Sequence, residues 1–187
     1  DLALVVDNTF TPLMIQPAKL GADVVIHSLT KFINGNSDCI AGAVCCSTEM
    51  AKQMRDVNTG AAMLMGSTLD SGRAANILKN LQTLDIRMRR HSENAGYLAR
   101  GLEKLGYQVT YPGLRSHPDH DLMRAQHLSQ YGFGGLFTLE VDSFEQADAL
   151  MMELQKQGLG HLDFSLVHHQ TLFSASGTYT SSEIPQN

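Results

Sequence analysis

Two short polar clusters carry the residue types from which chemistry is built. Asp7-Asn8-Thr9 closes the apolar run Leu2 to Val6, and His27-Ser28-Leu29-Thr30-Lys31 closes a second run, Ala22 to Ile26. Asn34-Gly35 and Ser37-Asp38 follow just beyond. Short continuous apolar runs of this kind are expected as buried parallel strands. Open α/β sheets place their ligands at the carboxyl ends of such strands. A lysine just past an apolar strand loses hydration, which lowers its pKa and frees the neutral amine for a Schiff base. Ser28 and Thr30 supply hydroxyl donors for a phosphate beside Lys31, and the Asp7 carboxylate at the neighbouring strand end suits a protonated pyridine nitrogen. Together these are the parts of a pyridoxal phosphate site. The same residues also suit plainer duties, Asp7 as a turn or cap residue and Lys31 as a solvated charge, and spacing alone leaves both readings open.

The elements that must position them follow from the breaks in the pattern. Between the two runs Pro12 and Pro17 interrupt the backbone, and Ile15 to Leu20 has room for a short helix before Gly21, which gives a strand, helix, strand crossover. Cys39 to Cys46 is expected as a third strand and Glu49 to Val57 as a helix. From Thr68 to Leu105 there is no proline, and Ile77, Leu78, Leu81, Leu84, Ile86 and Met88 recur near the helical period. That stretch is expected as one kinked helix or two helices meeting near Thr83. Tyr107 to Tyr111 and Gly135 to Val141 are expected strands, and Leu122 to Leu128 a short helix. Phe144 to Gln157 is expected as a helix with Ser143 as N-cap and Gly158 as its stop. The first half is thus an α/β pattern and the second an α+β pattern.

Composition narrows the function classes. With 187 residues, 43% hydrophobic and 18% charged, the chain is long and apolar enough for a sizeable core, and disorder is excluded. A net charge of -5 without a basic run gives no footprint for nucleic acid or an anionic membrane. No apolar run reaches the ~20 residues of a membrane span. Cys39, Cys45 and Cys46 are an odd number, and a bridge between the adjacent pair would be strained, so a reducing, cytoplasmic setting is expected. Cys45 and Cys46 are read as small buried hydrophobes, His27 as a structural hydrogen-bonder, and Met63, Met65, Met151 and Met152 as core or interface filler. The opening at Asp1, inside an apolar run and without a starting Met, is expected for a piece of a longer protein.

The segments Val6 to Phe10 and Gly21 to Gly35 closely resemble the Cys/Met-metabolism family of pyridoxal-phosphate-dependent enzymes. This family includes cystathionine γ-synthase, cystathionine lyases, methionine γ-lyase and O-acetylhomoserine sulfhydrylase. The likeness continues through Leu84 to His91 with Asn94-Ala95, through Tyr111 to Leu114 with Ser116-His117-Pro118, and through Gly132 to Gly135. It covers nearly the whole chain. The fold it implies is α/β, of the aspartate-aminotransferase type. Residues 1–85 would be the later part of the large cofactor domain, and 86–187 most of a smaller α+β C-terminal domain. The resemblance implies Lys31 as the lysine that carries pyridoxal 5'-phosphate, Asp7 as the partner of the pyridine nitrogen, and Ser28 and Thr30 as phosphate-binding hydroxyls. Ser165 matches a contact to the substrate carboxylate, although the family's glycine is Val167 here. The implied activity is γ-elimination or γ-replacement on sulfur-containing amino acids by a C–S lyase or γ-synthase. O-acetylhomoserine sulfhydrylase and cystathionine β-lyase are the alternatives within the family. The implied partners are a small amino-acid substrate and further copies of the chain, as a homotetramer built from dimers.

Three departures bear on the exact reaction. Asn36 follows Asn34-Gly35 where the family has His or Gly, Leu78-Lys79-Asn80-Leu81 replaces Leu-Arg-Gly-Leu, and His168-His169-Gln170 replaces a Glu-Ser-Leu pattern. The family's upstream phosphate turn, its ring-stacking Tyr and its carboxylate-binding Arg have no counterpart, so these 187 residues alone are expected to bind the cofactor weakly and to be inactive. An unrelated alternative is a metallohydrolase built on His117, Asp119 and His120. Arg115 stands where that pattern needs its first histidine, and no supporting ligands follow, so no metal is expected.

Overall fold

The computed structural model describes residues 2–163 and 170–175. Three strands lie beneath the polar clusters in the order β1 (Val5–Asp7), β2 (Val24–Ser28) and β3 (Gly42–Cys45). β1 and β2 run parallel with Asp7 opposite Ile26, and β3 pairs antiparallel with β2. The expected parallel pairing is therefore present, but each strand runs past its apolar run into the polar cluster. The ladder continues because backbone partners persist, ending with the Asn8 amide on the Ile26 carbonyl at 2.8 Å. Burial divides the two strands. Val24 and Val25 are buried, whereas Val5 is 53% exposed, so the expected burial holds for β2 and not for β1.

The crossover segment is a 3-10 turn, Pro17–Leu20, in place of the expected helix. Proline at its start removes a donor, and Gly21, at φ +101°, closes it after four residues. The third strand shrinks to four residues because Thr30 captures Ala41 beside it, with the Thr30 hydroxyl accepting the Ala41 amide at 3.0 Å. α1 (Thr48–Met54) is capped by Ser47, and α2 (Ala61–Leu64) is a single turn that the sequence did not signal.

The proline-free stretch is two helices, α3 (Ser71–Leu81) and α4 (Leu84–Lys104), separated at Gln82-Thr83. β4 (Val109–Thr110), α5 (His120–Gln126), β5 (Thr138–Leu139), α6 (Phe144–Lys156), β6 (His161–Leu162) and β7 (Leu172–Phe173) complete the order. β4 pairs antiparallel with β5, and β6 parallel with β7. Ser143 caps α6 by accepting the Gln146 amide. The Gln146 side chain reaches one residue past the cap, to the Asp142 amide at 2.8 Å.

α4 joins the two halves because each end of it enters a different core. Leu84 and Met88 pack with Met14 and Phe32, while Ala95 and Ala99 pack with Tyr111 and Leu114. Between them, buried Ser92 turns its Oγ to the Phe133 and Gly134 amides at 2.8 and 3.1 Å, and the Tyr111 hydroxyl donates to the Gly134 carbonyl at 2.9 Å. Gly132 sits at φ +65°, and a Cβ there would run into Ser92 Oγ. Met151 is buried, but Met63, Met65, Met152 and Cys45 are exposed and Cys46 is half-buried, which corrects the expectation of buried cysteines. Cys45 lies on β3, whose only paired neighbour among the described residues is β2. No helix among the described residues is long and apolar enough to cross a membrane.

Candidate active site

The ends of β1 and β2 are tied together by side chains as well as by the ladder. The Thr9 amide donates to Asp7 Oδ1 at 2.9 Å, and the Ser28 amide donates to Thr9 Oγ1 at 2.8 Å. The two polar clusters thus meet at adjacent strand ends, about 4.8 Å apart by the spacing of paired strands. Hydrogen bonds from the Thr9 hydroxyl and amide, with a smaller contribution from His27, hold the Asp7 carboxyl below its ordinary range. Asp7 is exposed and stays anionic at neutral pH. Burial pushes His27 below its ordinary range despite the nearby Asp7 charge, and its Nδ1 is buried without a hydrogen-bond partner among the described residues. His27 is a structural hydrogen-bonder through the Asn8 backbone, as expected, but not through Nδ1.

Directly after β2 the backbone winds into a π-helical turn, Leu29–Ile33, with a kink at Lys31, φ -86° and ψ -126°. Lys31 is half-buried, and its neighbour Phe32 is 2% exposed in the core shared with Met14, Leu84 and Met88. A residue anchored on one side by Phe32 and on the other by β2 has little backbone freedom. Thr30 is fixed through Ala41, which accepts its amide at 3.3 Å and donates to its hydroxyl at 3.0 Å. The turn ends in Asn34, fully buried, whose amide nitrogen donates to Asp38 at 2.6 Å and whose oxygen accepts from Asn80 at 2.9 Å.

Of the residues expected at the site, Asp7, Ser28, Thr30 and Lys31 all lie on the β1 end, the β2 end and the turn that follows it. Ser165 lies outside the described residues. Sequence reasoning gave no role to Thr9, although an acceptor two residues before a hydroxyl is the spacing of an Asx turn. It also gave none to Asn34, Asn80 or Arg87, whose contacts span roughly fifty residues of chain and leave no local pattern. The His117 loop holds itself together. His117 Nδ1 accepts the Asp119 amide at 3.1 Å, and His120 Nδ1 lies 2.8 Å from the Pro112 carbonyl with its ring stacked on Phe133. Among the described residues no group of three or more potential metal ligands comes together.

The donor set fits pyridoxal phosphate by its chemistry. An aspartate that stays anionic suits a protonated ring nitrogen, two hydroxyls suit a phosphate, and the lysine at the kink of the turn suits a carbonyl. Comparison with known proteins agrees. The chain matches the family model described as "Cys/Met metabolism PLP-dependent enzyme" over residues 1–187. It is 44% identical to a methionine gamma-lyase of Arabidopsis thaliana over 184 residues, 98% of this chain and 42% of that protein. It is 42% identical to an O-succinylhomoserine sulfhydrylase of Pseudomonas aeruginosa over 176 residues, 90% of this chain and 42% of that one. The fold superposes on a crystal structure of cystathionine gamma synthase from Xanthomonas oryzae pv. oryzae in complex with aminoacrylate and cysteine. The TM-score is 0.86 at 34% identity, covering 98% of this chain and 46% of that one. The chain spans less than half the length of these relatives. The α/β fold of the aspartate-aminotransferase type is therefore the observed one, and the metallohydrolase reading of His117, Asp119 and His120 is set aside. On the match over its full length and on these relatives, the chain belongs to the Cys/Met-metabolism family of pyridoxal-phosphate-dependent enzymes.

Proposed function

We propose that the protein is a lyase or transferase for sulfur-containing amino acids that works by γ-elimination or γ-replacement with pyridoxal phosphate. The observation that carries this reading is the meeting of Asp7 and the Lys31 turn at adjacent parallel strand ends. Lys31 would hold the cofactor covalently, Ser28 and Thr30 would bind its phosphate, and Asp7 would hold the proton on its ring nitrogen. When bound, the group supplies an electron sink next to the substrate Cα. Lys31 Nζ would take the Cα proton, and the same amine would move a Cβ proton so that the γ substituent leaves. Ser165 would bind the substrate carboxylate. The relatives support this chemistry and divide over its outcome, being named as a lyase, a sulfhydrylase and a synthase.

The division of the chain proposed with this function is a large-domain part over 1–85 and a small-domain part over 86–187, the two meeting along α4. The working form is a homo-oligomer, built as a dimer of dimers, in the cytoplasm. The free thiols of Cys39, Cys45 and Cys46 support the reducing setting.

Two measurements test the reading. Borohydride reduction of the protein with its cofactor, followed by peptide mapping, should place the pyridoxyl group on Lys31, and a label on another lysine overturns the assignment. Product analysis with methionine, cystathionine and an O-acyl homoserine, each with and without a thiol, should show release or exchange of the γ substituent. Pyruvate from cystathionine with no reaction on methionine or the homoserine ester would assign β-elimination instead.

A further inference from the structure

We propose that Arg87 is a positioning residue for Lys31: its guanidinium, set in the space beside Gly35, clamps the Phe32 and Ile33 carbonyls and holds the kink from which Lys31 projects. The inference rests on the reading of Lys31 as the cofactor-bearing lysine. Arg87 lies on the first turn of α4 and donates to the Phe32 carbonyl at 2.5 Å and the Ile33 carbonyl at 3.0 Å, the two residues directly after Lys31. The same guanidinium donates to the Asn80 carbonyl at 3.2 Å and, through Nε, to Thr83 Oγ1 at 3.0 Å. No carboxylate among the described residues lies within ion-pair distance of it. A half-buried cation spent wholly on neutral acceptors is costly in solvation, and burial pulls its pKa below the ordinary arginine range. A bare structural staple between α3 and α4 would need only the bonds to Asn80 and Thr83.

The other two bonds go to the lysine turn, and the chain is shaped to admit them. Gly35 sits at φ +74°, and a Cβ there would run into Arg87 NH1 and Cζ. Two consecutive carbonyls at the end of a kinked turn, freed from regular helical pairing, match the planar fork of a guanidinium in a way that a lysine ammonium does not. Asn80 reinforces the grip from the same side by donating to buried Asn34 at 2.9 Å. Lys31 itself holds a φ/ψ pair outside the helical region, at the kink that the two clamped carbonyls follow.

The test compares Arg87→Ala and Arg87→Lys with the unsubstituted protein, each in the full-length chain, in the presence of pyridoxal phosphate. At limiting cofactor, Arg87→Ala should lower the fraction of Lys31 trapped by borohydride. It should also lower kcat roughly tenfold to a hundredfold with KM nearly unchanged, the ratio that one or two charge-assisted hydrogen bonds carry. Added guanidinium ion should restore part of the trapping, and Arg87→Lys, with one point charge and no fork, should fall short of the parent. Arg87→Ala with parental trapping and kcat overturns the clamp, as does a loss that guanidinium does not restore. Should Arg87→Ala fail to fold, Arg87→Lys decides alone, and parental trapping and kcat in it overturn the proposal. An unsubstituted protein that takes no label at Lys31 overturns the Lys31 reading itself and the clamp with it.

Discussion

The Thr9 hydroxyl accepts the Ser28 amide and, with the Thr9 amide, supports the Asp7 carboxylate, so the charge of Asp7 depends on a residue to which the sequence assigned no role. Thr9→Val removes the largest of the influences that depress the Asp7 pKa. The expected outcome is an acid limb of the kcat profile moved to higher pH, because a carboxyl less stabilised as the anion protonates sooner on acidification. An acid limb that stays in place would show that Asp7 does not govern it. Asp7→Asn should leave the cofactor bound and lower turnover by roughly a hundredfold, since a neutral amide cannot hold the ring nitrogen protonated. Absorbance and steady-state rates on the same preparation check both halves of that statement. The placing of Asp7, Ser28, Thr30 and Lys31 at neighbouring strand ends was legible because each follows an apolar run by no more than five residues. Thr9 was not, because its role is a relay and shows only once both strands are paired.

At the scale of elements, the Gly132 to Gly135 loop hangs on two hydroxyls, those of Ser92 and Tyr111. Ser92→Ala would leave the Phe133 and Gly134 amides without their acceptor in a buried place, at a cost of about 1–3 kcal/mol. Gly132→Ala should destabilise as well, through the positive φ and the collision with Ser92 Oγ. Urea unfolding of both variants measures the effect, and unchanged midpoints would mean that the Tyr111 bond and the apolar contacts hold the loop without Ser92. The α6 cap was legible because a hydroxyl precedes a periodic run at Ser143, and the break between α3 and α4 was legible near Thr83, whose own hydroxyl caps no helix amide. The periodic pattern overstated burial, however, since Leu78 and Ile86 are exposed while Ile77, Leu84 and Met88 are buried. The two-residue strands β4 to β7 and the single-turn α2 were not fully legible, because elements that short complete no period.

For the whole molecule, acid is the expected weakness. His27 and His91 both have pKa values pushed below the ordinary 6.5, chiefly by burial, with Arg87 adding to the effect at His91. The unfolded chain then binds protons that the fold refuses, so stability falls as pH drops below about 6.5 and continues to fall until the depressed pKa values are passed. Thermal unfolding between pH 7.5 and 5.5 should show this loss, and His91→Gln should flatten it, whereas an equal slope in the variant would assign the loss elsewhere. Met88→Ala should cost about 2–5 kcal/mol, because Met88 is completely buried where α4 meets Phe32, and denaturant titration measures it.

The 21 residues of α4 make it about 31 Å long, with Arg87 in its first turn and Lys104 at its far end. Pivoted about that first turn, a tilt of about 5° sweeps the far end through roughly 3 Å but moves the Arg87 backbone by only roughly 0.4 Å, from the 1.5 Å rise per residue. A tilt of α4 about its first turn would therefore reach the Phe32 and Ile33 carbonyls as a displacement several times smaller than the one at Lys104.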